Sequence, residues 1–265
     1  MLEVCDQAVE HARRIGDRGL EVSFLLGGLY TRYLLGEWDE VEEQAATVSD
    51  TALTFQSQLL MLDLLELRIA RGELAEARAW WDRVTEGSEP EDPQAIAAIG
   101  TDKAVLLRAE GTPRDALAAA ESAFACRDQI GIASLIAKRA AAELLESALA
   151  AGDRARAEEV LAELDALRPG ELTPLYRALR ARFRGRLAEG PAAAEYFREA
   201  EQAYEALQAP FHLAVTQLEH AESIESHDTN GEAELLRAAA RMVFERLGAR
   251  PWLERLGEPQ ARVPT

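Results

Sequence analysis

The side chains of this sequence that could hold a metal, take a proton or attack a substrate are few. Its four histidines are His11, His212, His220 and His227, and its two cysteines are Cys5 and Cys126. His220 and His227 are seven residues apart and would share a helical face, but one histidine pair without a neighbouring cysteine is a poor metal site. His212 and His220 read better as half-buried polar members of a helix interface. The cysteines are too far apart in sequence to suggest a disulfide framework, which points to a reducing, cytoplasmic setting. Glu40, Glu42 and Glu43 could be taken for a cation site. At that spacing they spread around the first turns of a helix, where carboxylates complement the helix dipole. Gly27-Gly28 lacks the Gly-Lys-Ser/Thr of a phosphate loop, and neither a nucleophile elbow nor His-Glu-x-x-His occurs. No catalytic, cofactor-binding or metal-binding residue is therefore assigned, and the chain is expected not to be an enzyme.

Two other groups suit contact with a partner. In Trp80-Trp81, Trp81 falls on the inward face of its helix, while Trp80, one step round, is a candidate for partner contact. Arg177, Arg180, Arg182, Arg184 and Arg186 form a basic run in an acidic chain. Of these, Arg177, Arg180 and Arg184 are spaced i, i+3, i+7 on one helix face. They could grip carboxylates of a protein or peptide, or pair with Glu195 and Glu199 of the same chain.

The elements that must position these groups are set by a recurring glycine. Leu34-Leu35-Gly36-Glu37-Trp38 reads as a helix end, a tight turn and a new helix. The device returns at Gly72, Gly111 and Gly152, and in weaker copies at Gly190 and Gly231. The intervals are 36, 39, 41, 38 and 41 residues. A fixed period in this range marks a helical repeat. Seven residues before each glycine stand Leu29, Leu65, Ala104, Leu145, Phe183 and Ile224, all apolar. Five residues after the first four come Val41, Ala77, Ala116 and Ala157, followed four later by Ala45, Trp81, Ala120 and Leu161. Such (i, i+4) pairs face a partner helix, and a small first member permits close approach. The fifth and sixth copies shift, to Ala193/Phe197 and Ala233/Arg237. The expected fold is all-α: an α–α superhelix of about six helix–turn–helix repeats plus terminal half-repeats, with residues 1–265 forming one repeat domain.

Punctuation agrees. Asp92-Pro93, Thr112-Pro113 and Thr173-Pro174 place a capping side chain before a proline suited to the first helical position. Pro251 starts a short final helix whose Trp252 covers the end of the array, and residues 258–265 read as a frayed tail. Residues 2–15 look like the second helix of a pair whose first helix is missing, so the chain reads as a fragment or a terminal half-repeat. Their stripe Leu2, Cys5, Val9 would then lack its cover, and a homodimer through this end is an expected consequence.

The formal charge is −18. Residues 1–132 carry 25 acidic and 12 basic residues, and no Lys or Arg lies between Arg32 and Arg68. Such a surface repels phosphate backbones, so nucleic acid is not an expected partner. No apolar run approaches the roughly 20 residues of a membrane span, and the N-terminus has no basic stretch ahead of an apolar one.

The glycine turn followed by a small residue and then a large apolar one resembles tetratricopeptide repeats, with a period longer than their usual one. Pro210-Phe211-His212-Leu213-Ala214-Val215-Thr216-Gln217-Leu218-Glu219-His220-Ala221-Glu222 and Phe244-Glu245-Arg246-Leu247-Gly248-Ala249-Arg250-Pro251-Trp252-Leu253-Glu254-Arg255 are more specific. With Leu161-Ala162-Glu163-Leu164-Asp165-Ala166-Leu167-Arg168-Pro169-Gly170 they resemble the C-terminal helical region of bacterial multidomain adenylate/guanylate cyclases. In those proteins a cyclase module and an AAA-type ATPase come first. LuxR-type large ATP-binding regulators share the region and follow it with a helix-turn-helix. The close after Trp252 without such a domain favours the cyclase-type parent. The resemblance implies a non-catalytic, regulatory interaction scaffold that binds a protein, a peptide or sister domains. The rival expectation is a small-molecule-sensing domain of a LuxR-type regulator.

Overall fold

The computed structural model describes residues 2–49, 63–87, 90–225 and 230–257. The expected tail at 258–265, His227 and the turn at 226–229 lie outside them. Every regular element among the described residues is a helix, fifteen in all. No described helix is long and apolar enough to cross a membrane.

Four anchor glycines close their hairpins in one way. Between α2 (Arg18–Leu35) and α3 (Trp38–Ser49), Gly36 is left-handed with φ 74°, and the Glu37 N–H reaches back to the Arg32 carbonyl at 3.0 Å. The same bond runs from Glu73 to Arg68, Thr112 to Leu107 and Asp153 to Ala148, at 2.8, 2.9 and 2.8 Å. Gly72, Gly111 and Gly152 have φ between 77° and 81°. A side chain at such a position would be strained, so glycine is what lets the chain satisfy these carbonyls and turn back. The turns join α4 (Asp63–Arg71) to α5 (Leu74–Thr85), α6 (Pro93–Ala109) to α7 (Pro113–Ala125), and α9 (Leu135–Ala150) to α10 (Arg154–Asp165). A single turn, α8 (Arg127–Ile130), lies between α7 and α9.

The shifted register of the last two copies has a local cause. Gly190 has ψ −144°, outside the left-handed helical region, and α12 (Pro191–Ala206) begins at the next residue. After Gly231, α14 (Glu232–Leu247) likewise begins at once. In the first four copies the helix starts two residues past the glycine. Losing that spacer accounts for one residue of the shift that brings the small inward residue to Ala193 and Ala233, both buried. The first helices of these pairs are α11 (Pro174–Leu187) and α13 (Pro210–Ile224). Arg237 leaves the apolar pattern to pair with Glu225 at 2.7 Å.

Burial follows the spacing. Leu29, Leu65, Ala104, Leu145 and Phe183 are fully enclosed, as are Val41, Ala77, Ala116 and Ala157. Ile224 is only half-buried. Each enclosed large side chain contributes about 1.5–3 kcal/mol of hydrophobic stabilisation. Trp38, at the first turn, is enclosed too; its indole donates to the Tyr33 carbonyl at 3.1 Å and its ring stacks on Tyr33.

The chain divides into two compact units. In the first, Met1–Ile69 with Glu73–Tyr176, α1 packs on α2, α2 on α3, α5 on α6, α6 on α7, and α9 on α6, α7 and α10. α1 (Leu2–Ile15) lies against α2, and its stripe is covered there. Val9 is buried, and a Cβ on Gly28 would touch Leu2 and Cys5 at 3.7 Å. The expectation of an uncovered Leu2–Cys5–Val9 face is thus corrected. In the second unit, Ala70–Gly72 with Arg177–Thr265, α12, α13, α14 and α15 (Arg250–Gly257) pack in succession. Trp252 of α15 stacks on Phe244 and meets Phe211 edge-on, closing that core as its sequence position suggested.

The caps are mixed. Asp92 accepts the Ala95 N–H at 3.0 Å, and Thr173 the Tyr176 N–H at 3.5 Å. The Thr112 hydroxyl instead donates to the Leu107 carbonyl, serving the end of the helix before it.

Candidate functional site

The basic run lies on α11, which carries five arginines and no carboxylate. Its members have different roles. Arg182 is buried and holds the buried Glu219 of α13 with two hydrogen bonds, 2.7 and 2.8 Å long. Arg186 approaches the same carboxylate at 3.6 Å and lies over Phe183. On the expected binding face, Arg180 sits 3.9 Å from Glu199, and Arg184 lies over the Tyr196 ring of α12 at 5.7 Å. Arg177 is exposed. The structure therefore leaves Arg177 open and packs the other two against α12, with Glu199 the neighbour that the sequence suggested.

Trp80 is corrected. It is 5% exposed and buried beside Trp81 on α5, with the guanidinium groups of Arg68 and Arg83 over its ring at 5.3 and 4.8 Å. Its indole N–H meets no acceptor among the described residues. Two guanidinium groups over one ring help α5 bury adjacent tryptophans, since cations covering an indole shield it from water.

His212 and His220 are interface residues. His220 is fully buried, its Nδ1 2.7 Å from Glu201 Oε1 and its ring stacked on Phe197. His212 stacks on Tyr204 at 5.4 Å, and His11 is exposed. Burial pushes the Cys126 thiol upward.

Sequence reasoning missed a set of ion pairs that cross between first helices. Arg139 of α9 donates to Asp102 of α6 at 2.7 Å and to Glu66 of α4 at 2.8 Å; Asp102 is wholly enclosed. Arg108 of α6 grips Glu143 of α9 at 2.8 and 2.9 Å, and Ser147 donates to the same carboxylate. Burial pushes the Glu143 carboxyl upward, against the pull of Arg108. In the second unit Arg255 grips Glu222 of α13. A signal was present: Asp102, Glu143 and Glu222 each stand nine residues before an anchor glycine. A repeated acid inside an apolar pattern marks a repeated buried partner.

Two clefts open on the first unit. One, about 350 Å³, lies between α1, α2 and α3 and is lined by Val9, Leu25, Asp6, Glu10, Glu40 and Glu43. Arg13 beside it is tied to Glu21 at 2.8 Å, and the Arg13 and Arg18 hydrogen bonds hold the Glu21 carboxyl below its usual range. The other, about 220 Å³, lies by Phe124, Ile132 and Leu164 and is rimmed by Arg127, Glu163 and Glu171. Among the described residues no three histidine, cysteine or acidic side chains are placed to hold a metal ion.

No family model and no curated protein matches the sequence. Among solved structures the chain is similar to BtubC (BKLC) from P. vanneervenii, at 13% identity and TM-score 0.34, over 100% of this chain and 94% of that one. The helical-repeat description rests on the chain's own helices and their consecutive packing.

Proposed function

We propose that the chain is a non-catalytic protein-interaction scaffold, the regulatory helical region of a larger signalling protein of the cyclase–ATPase type. What supports this reading is the use made of its polar interior. Arg139, Arg108 and Arg182 clamp one first helix to another through Asp102, Glu66, Glu143 and Glu219. Such pairs fix the register of a helical layer, leaving the outward faces to recognise a partner. The basic side of that contact is α11, with Arg177 foremost and the edges of Arg180 and Arg184 beside it. An acidic helix or the acidic surface of a sister domain is the complementary partner.

The test is a titration of the full chain with a labelled acidic amphipathic helix. Saturable binding should weaken about tenfold or more in Arg177→Glu/Arg184→Glu, an effect reduced at high salt, where screening already removes part of the attraction. Binding indifferent to both charge reversal and salt would remove α11 from this reading.

A further inference from the structure

We propose that the side of the α1–α2 hairpin facing away from α3 is a seat for one amphipathic α-helix of a binding partner, lying antiparallel to α1 with an acidic first turn. This inference rests on the scaffold reading and names a second contact surface for it.

The seat is apolar and open. Val4 and Ile15 of α1 are 67% and 57% exposed, and Leu20 and Phe24 of α2 are 42% and 37% exposed. Val4 and Ile15 share one flank of α1, and Leu20, Phe24 and Gly27 follow at i, i+4, i+7 along one flank of α2. Asp6, Arg13 and Leu25 mark the opposite side of the hairpin, where they line the cleft with α3. The two apolar flanks therefore adjoin on the side away from α3.

The repeat specifies what fits there. α3, α7, α10 and α14 each pack on the first helix that precedes them, whereas α1 is packed on the helix that follows. A first helix placed before α1 would lie against both α1 and α2, as α6 lies against both α7 and α9.

Glycine usage points to the same place independently. Three glycines within first helices mark close approach: a Cβ on Gly28 would touch α1, one on Gly100 would lie 3.1 Å from Ala123, and one on Gly185 would lie 2.9 Å from Phe197. Gly27 carries the same helix-weakening cost, yet a Cβ there would meet no atom of the described residues within 4 Å. Gly27 also stands nine residues before its anchor, the position from which Glu143 reaches back to Arg108 of the preceding first helix. An unfilled close-approach position on an exposed apolar flank is what a docked helix would use.

Charge sets the direction. Arg14 is exposed at the turn end of the seat. A helix antiparallel to α1 brings its N-terminus to that end, where carboxylates in its first turn would face Arg14 as well as complement their own dipole.

Fusing Glu91–Thr112, the chain's own first helix α6 with its turn and acidic start, directly ahead of Leu2 provides the test. Tethering holds the helix near the seat at an effective concentration on the order of millimolar. The fusion should raise Tm by about 2–4 °C or more and slow hydrogen exchange in α2. Leu20→Glu with Phe24→Glu, or Gly27→Leu alone, should abolish both effects, each fusion being compared with the unfused chain that carries the same substitution. Equal Tm and exchange in fused and unfused chains would overturn the proposal. So would a dimer of the unfused chain that Leu20→Glu with Phe24→Glu converts to monomer, since that would give the seat to a second copy. If the seat fails while the acidic helix still binds α11, the scaffold reading stands without it.

Discussion

Replacing two helical glycines by alanine should shift stability in opposite directions. In α11, a Cβ on Gly185 would lie 2.9 Å from Phe197 Cγ and 3.0 Å from both Cδ atoms. Phe197 cannot move aside easily, because it is 1% exposed and stacked on His220. Overpacking of this kind costs about 1–3 kcal/mol, against a gain of about 1 kcal/mol from better helix propensity. The expected net loss for Gly185→Ala is therefore on the order of 1 kcal/mol. Gly27→Ala meets no neighbour within 4 Å among the described residues, so it keeps the propensity gain of about 1 kcal/mol. Urea unfolding followed by helical circular dichroism, at unchanged m, should place the two midpoints on opposite sides of the parent's. A stabilising Gly185→Ala, or two substitutions that act alike, would refute the packing assigned to α11 and α12 and the openness assigned to Gly27.

Arg139→Leu strands the enclosed Asp102 carboxylate and should cost about 3–5 kcal/mol. Arg139→Leu with Asp102→Leu should recover much of that loss in thermal melts. Glu171 should titrate at about 2, since the Arg168 side chain and backbone hold its carboxylate charged. Its pKa is depressed, so any stabilisation it lends is present above the ordinary value of 4.5 and is lost as pH falls toward 2. A carboxyl NMR titration of the wild type and Arg168→Ala would show the midpoint rising toward the ordinary value in the variant. Ala116→Phe, at a fully enclosed helix contact, should cost about 1–3 kcal/mol. A change at Glu121, whose bond to Arg156 is exposed, should cost under about 1 kcal/mol; equal melting of the two variants would show the register to be wrong.

The sequence is legible where one residue type answers one local need. Gly36, Gly72, Gly111 and Gly152 are such cases, because a left-handed turn with a bond to the carbonyl five residues back strains any other residue. Leu29, Leu65 and Phe183 are legible for a similar reason, since a helix flank facing a partner repeats with the helix. Trp80 was misjudged because its cover comes from Arg68 and Arg83, whose guanidinium groups lie over the ring while pattern counting treats them as polar surface. On α11, spacing shows that Arg177, Arg180 and Arg184 share a flank, but which arginine is captured depends on the neighbouring helix. Glu219 takes Arg182, and Tyr196 takes Arg184. The same limit hid Asp102 and Glu143. Their partners lie 37 and 35 residues away, so the pairing is set by how first helices stack rather than by any single helix.

The claim that the chain recognises a partner through its outward faces is tested most directly by hydrogen exchange of the full chain with and without a saturating acidic amphipathic helix. The account predicts added protection concentrated on α11 and the adjoining turns of α12, lost in Arg177→Glu/Arg184→Glu, with α6 and α9 unchanged because their ion pairs are already closed. Exchange unaltered anywhere in the chain, or protection spread evenly through both units and indifferent to the charge reversal, would contradict it.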